Sequence, residues 1–191
     1  MITTLVAIAI FVAYALQQAQ QDKGGKPNNQ HAPDWLERAG FALFVAGVLT
    51  LMHQFYLVAY HDAAIEFGAM GWRFLGLCLI AYGAFTPVFR WRLNRLRGMD
   101  ARYVSPSSAY DTVFMRLVFR KENKHDAPSV FRAHDRIYNK PDWNTEVVRP
   151  NRANLWINGN WYRDHIHRAG TWAYITEGLA LLIGCGITLA H

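Results

Sequence analysis

Little in this chain resembles the machinery of an enzyme. Cys78 and Cys185 are the only cysteines among 191 residues. They form no Cys-x-x-Cys pair, so neither a disulfide framework nor a thiolate zinc site is available. The chain holds no Gly-x-Gly-x-x-Gly, no Gly-x-x-x-x-Gly-Lys and no Gly-x-Ser-x-Gly. That removes the dinucleotide fingerprint, the P-loop and the hydrolase elbow. Serine occurs only within 105–108 and at 129, which leaves nucleophilic catalysis without support. No catalytic residue is assigned and no cofactor is called for. Before Lys23 there is no Lys or Arg, so the first apolar stretch lacks the basic n-region of a signal peptide. A retained span is expected there.

What is present is apolar length. Hydrophobic residues make up 52% of the chain, yet mean hydropathy is near zero. Both hold because apolar and charged residues are segregated along the sequence. Four apolar stretches stand out: Ile2–Leu16, Ala39–Tyr60, Ala69–Phe89 and Thr171–Ala190. At helical rise the last three each cover roughly 30 Å, the thickness of a hydrocarbon core. The first is shorter and must borrow Gln17 and Gln18. Helices apolar all round would need a larger soluble shell than the remaining residues supply. The expected architecture is all-α: a four-span membrane bundle, with spans 1–19, 39–60, 69–89 and 171–190. A flexible cytoplasmic link fills 20–38, and a small α+β cap fills 90–170, between spans 3 and 4.

Charge sets the expected sidedness. Residues 90–170 hold sixteen of the twenty Lys and Arg against eight of the fourteen acids, and the remainder of the chain is slightly negative. Basic residues near span ends stay on the cytoplasmic side. Arg90, Arg92, Arg95 and Arg97 follow span 3, and Arg163 and Arg168 precede span 4. The 61–68 link has none. The orientation that satisfies these positions places both termini outside and 90–170 in the cytosol, in a membrane of the bacterial inner type. Trp35, Trp91 and Trp172 then fall at the inner interface, and Tyr56, Tyr60 and Trp72 at the outer one.

Within the cap, Asp111 is placed to start a helix, DTVFMRLVFRKENK. Arg116, Arg120 and Lys124 stand four apart and share a face. Such a helix can lie in the membrane interface. Asn158-Gly159, flanked by apolar residues, suits a two-residue hairpin turn. With Arg90, Arg92, Arg95 and Arg97, the basic face forms the candidate lipid- and partner-binding set. Anionic lipid is the nearest polyanion, which ranks it above nucleic acid as a ligand.

Polar groups inside spans are costly and are functional candidates by default. They are His53, Arg73, Tyr82 and Glu177. Arg73 lies roughly 6 Å from the outer end of its span and Glu177 roughly 9 Å from the inner end of its own. Across a ~30 Å core they are about 15 Å apart and do not pair. Arg73 is expected to snorkel outward near His53, and Glu177 to meet a tyrosine hydroxyl or an arginine from the inner side. His125, His134, His165 and His167, each close to an aspartate, are weak metal candidates, because no pair has a diagnostic ligand spacing. Small residues at Gly40, Gly47, Gly76, Gly83, Gly184 and Gly186 allow close helix approach.

Three readings follow. The leading one is a non-enzymatic integral membrane component, accessory or scaffold. Its basic cap contacts anionic lipid and a protein partner, or a second copy. The others are an oligomeric pore of holin or exclusion type and a membrane metalloenzyme using the His/Asp clusters.

Overall fold

The computed structural model describes residues 2–22, 31–62, 64–97, 100–104, 109–119, 147–148 and 157–191. Five helices and one short bridge occur among them. They are α1 (Ile2–Asp22), α2 (His31–His61), α3 (Phe67–Leu96), α4 (Ala109–Phe119), β1 (Val147–Val148), β2 (Ile157–Asn158) and α5 (Gly159–Ala190). Four of the helices, α1, α2, α3 and α5, are long and apolar enough to cross a membrane. The protein is therefore a multi-pass integral membrane protein, and its described residues are helical apart from that bridge. These residues divide into two compact units, 1–101 with 175–191, and 102–174.

The first unit is the bundle. α1 lays one face, Thr4, Ala7, Phe11, Ala15, Gln18, Ala19 and Asp22, into the interior. The three-and-four spacing of these residues makes a single stripe. α3 is central, with α1 and α2 both packed on it. Ring contacts give the register. Tyr14 lies 4.1 Å from Phe41 and 5.4 Å from Phe85, centroid to centroid. Asp22, further along α1, meets Arg97 of α3 and Arg38 of α2, so α1 and α3 run parallel, and α2 runs against both. The core combines Ala7, Phe11, Val45, Ala46, Leu49, Leu77, Ile80, Ala81 and Ala84. Alanine is the commonest of them because, without a hydrophobic drive between helices in lipid, close backbone approach carries the packing.

The end of α5 runs antiparallel to α3, and glycines set the distance. A methyl group placed on Gly83 would stand 2.5 Å from the Leu181 backbone nitrogen and 2.6 Å from the Glu177 carbonyl oxygen. One on Gly184 would stand 2.6 Å from the Gly76 carbonyl oxygen. Gly40, Gly47 and Gly186 face nothing within 4 Å. α2 accordingly leaves Leu43, Phe44, Leu51, Met52 and Phe55 uncovered, as expected of a lipid-facing or partner-facing surface. Asp62, at φ 49°, ends α2 in the left-handed conformation that an Asp tolerates at a helix C-terminus.

The helices outrun the apolar stretches. α1 continues through Gln17 and Gln18 to Asp22, 21 residues or roughly 32 Å. α3 passes through Pro87 to Leu96, and Arg97 closes it by donating its N–H to the Leu93 carbonyl. Pro87 has no N–H to give to Gly83, four residues back; the helix persists because its neighbours hold it.

The described residues of the second unit do not support the expectation of an α+β cap. Among them the regular structure is helical apart from β1 and β2, whose antiparallel pairing covers two residues each, too little for a sheet. Nor does Asn158-Gly159 turn a hairpin. Asn158 pairs with Val147, and Gly159 is the first residue of α5. Helix propensity over Asn160–His167, continuous with span 4, overrides the local turn signal. Asp111 is not a cap either. α4 begins at Ala109, so Asp111 sits in the first turn, buried, where its charge complements the helix N-terminus. Tyr110 and Phe114 meet edge to face at 5.2 Å.

Candidate functional site

The bundle holds charged side chains at two levels, one near each end of α3. At the arginine-rich end, α3 projects Arg90 and α5 projects Glu177 into the same space. Arg90 Nη1 donates to Glu177 Oε2 at 3.0 Å, and Nη2 lies 2.9 Å from Oε1. This is the two-pronged arrangement in which a planar guanidinium matches a carboxylate. Arg90 is 6% exposed and Glu177 is fully buried. Gly83, two turns up α3, makes the meeting possible, because a larger residue would push the Glu177 turn away. An ion pair this deep is a strong constraint on helix position. Its net contribution is small, since desolvation offsets attraction, but removing one partner costs more than the pair contributes.

A second cluster joins three helix ends at the same level. Arg38 of α2 is bonded to the Asp22 carboxylate and lies 3.4 Å from Gln18 Oε1. Its guanidinium carbon stands 4.5 Å over the Phe89 ring, a cation–π contact. Arg97 donates from Nη2 to the Asp22 carbonyl oxygen at 2.7 Å. That carbonyl belongs to the last turn of α1, where acceptors are left over and positive charge is favoured. Beside this cluster, Leu16, Gln17, Gln20, Trp91 and Arg92 line a shallow groove, with Trp91 45% exposed.

At the far end of α3, Arg73 is only 7% exposed. His53 of α2, half-buried, lies within its electrostatic reach. Trp72 stacks on His191 at 6.2 Å and 14°.

The intramembrane polar residues thus separate. Glu177 joins Arg90, Arg73 and His53 gather at the opposite level, and Tyr82 is half-buried between them on α3. Of the arginines following span 3, Arg90 turns inward, while Arg92 is half-buried and Arg95 exposed. Arg116 falls on α4 with its side chain outside the described residues, and Arg120 and Lys124 lie outside them altogether. So do His125 and His134. His165 and His167 both fall on α5, His165 with its side chain outside the described residues. His167 is buried, and Thr171 Oγ1 donates to its backbone carbonyl at 2.8 Å. Among the described residues no group of three His, Cys, Asp or Glu side chains converges.

The residues that sequence reasoning did not single out are Gln18, Asp22 and Arg38. A carboxylate and an amide at the end of one apolar stretch, with an arginine just before the next, were the available signal. No family model, no curated protein and no solved structure matches the chain.

Proposed function

We propose that the chain is a non-enzymatic integral membrane component, an accessory or scaffold subunit. Its arginine-rich end lies in the cytosol, where it contacts anionic lipid and a protein partner. The observation that carries this reading is the use made of charge at that end. Arg90, Arg38 and Arg97 are spent on holding helices together. Arg92 and Arg95 remain beside the exposed Trp91, an arginine and aromatic pairing suited to a headgroup region. In sequence, the basic residues of 102–168, including Arg116, Arg120 and Lys124, follow these arginines directly. The uncovered apolar face of α2 supplies a surface for lipid or for another membrane helix.

The test uses the full chain in nanodiscs of phosphatidylcholine with increasing phosphatidylglycerol. Neutralising Arg92, Arg95, Arg116, Arg120 and Lys124 is expected to lower the number of phosphatidylglycerol molecules retained after extraction. The expected effect is about 1 kcal/mol per charge near the surface. Retention that ignores these substitutions would remove the lipid part of the proposal.

A further inference from the structure

Arg73 presents an unresolved charge. It is more than nine-tenths buried within a span, and among the described residues its guanidinium has no hydrogen-bond acceptor and no carboxylate within ion-pairing distance. An arginine withdrawn from water without a counter-charge is strongly disfavoured. Close by in height is a second orphan. Thr4 of α1 is 5% exposed, and its hydroxyl has no partner. α1 and α3 run parallel with Tyr14 beside Phe85, a register that puts Thr4 within about one turn of Arg73. Both belong to the inward-facing stripes of their helices. The start of α3 adds to the positive character of this level. Its first turn has no acidic residue, and the Glu66 side chain makes no capping hydrogen bond, so backbone N–H donors remain at that terminus.

We propose that Arg73 anchors an oxyanion site for a phosphate group, with the Thr4 hydroxyl as a further donor. Depth identifies the chemistry. Arg73 is six residues into α3, roughly 9 Å below its start, and arginine side chains on a helix lean toward its N-terminus. That carries the guanidinium up to the level of Trp72, which is 52% exposed and stacked on His191, as tryptophans at a membrane interface are. Phosphate is the anion found at that level, and a guanidinium fork takes it through two parallel N–H···O bonds. The site is independent of the basic end and holds whichever way the chain is oriented.

Phosphatidylcholine is the discriminating probe, because it carries phosphate but no net charge and so bypasses the general attraction of the basic end for anionic lipid. The full chain is purified in a neutral maltoside detergent without phosphate. Its melting is followed as phosphatidylcholine, a neutral glycolipid or inorganic phosphate is added, for wild type, Arg73→Met and Arg73→Lys. Wild type is expected to rise by at least about 4 °C with phosphatidylcholine, a shift within reach of one good charge-assisted contact in a chain this size. Arg73→Met should not rise, Arg73→Lys should rise less than wild type, and the glycolipid should move none of them. A rise in wild type alone with inorganic phosphate supports the site and names a free anion as its source. Three results overturn the proposal: equal gains from phosphatidylcholine in wild type and Arg73→Met, an equal gain from the glycolipid in wild type, or a dimer that depends on Arg73 with no response to phosphate. The last would mean that a carboxylate of a second copy meets the charge. If Arg73→Met does not fold, the ratio of phosphatidylcholine to glycolipid response in wild type and Arg73→Lys decides the matter.

Discussion

Arg73 and Arg90 lie on the same helix, seventeen residues apart, and both are almost wholly buried. Arg90 meets Glu177 through two bonds inside the chain. Arg73 meets no anion of the described chain. At the arginine-rich end, charge is internal cement: Glu177 and Asp22 are matched by Arg90 and Arg38, and Arg97 closes the end of α1. At the other end, a single cation and an idle hydroxyl are left for something outside the chain. Burial alone does not tell structural from functional arginines; the state of the partner does.

That contrast breaks most sharply at Glu177. Glu177→Gln takes the paired carboxylate away from the buried Arg90 and is expected to lower stability by about 3–5 kcal/mol, read from thermal melting in detergent. Combining it with Arg90→Met should restore most of the loss. A double variant as unstable as the single one would show that the pair is not the source of the effect.

Glycine spacing gives a smaller effect with an internal control. Gly83→Ala puts a methyl group against the backbone of Leu181 and Glu177. The overlap is expected to cost about 1–3 kcal/mol, more than the gain of up to about 1 kcal/mol from helix propensity. At Gly47, which has open space within the chain, the same change should be neutral or stabilising by up to about 1 kcal/mol. Loss of stability at Gly47 would reveal a packed neighbour on α2.

Arg38→Gln should have the least effect. The pair with Asp22 is partly exposed, so removing it is expected to cost about 0.5–1 kcal/mol, with a weaker response at high salt. A loss as large as that of Glu177→Gln would place this cluster in a drier setting than its exposure indicates.

How much of this was legible beforehand follows from which signals are local. Four membrane helices were readable because segregation of apolar from charged residues is a property of the chain itself. So was the separation of Arg73 from Glu177, because helical rise converts residue number into depth. The partner of Glu177 was one of several within reach, and only the approach of α5 at Gly83 selects Arg90. The clamp at Asp22 and Arg38 was missed because the apolar stretches were ended at Leu16 and Ala39, whereas both helices continue into polar sequence. The hairpin at Asn158-Gly159 failed because a two-residue turn signal competes with a helix of 32 residues. His125, His134, Arg120 and Lys124 lie outside the described residues, and their readings remain those of the sequence.

Which face of the membrane each end meets is the premise beneath the proposed function. In a background of Cys78→Ala and Cys185→Ala, single cysteines are placed by Asp62→Cys, in the link between α2 and α3, and by Ser108→Cys, in the arginine-rich segment. Intact cells are then treated with a membrane-impermeant maleimide. Modification at position 62 without lysis, and at 108 only after it, is expected; modification at 108 in intact cells, with 62 protected, would contradict the assignment.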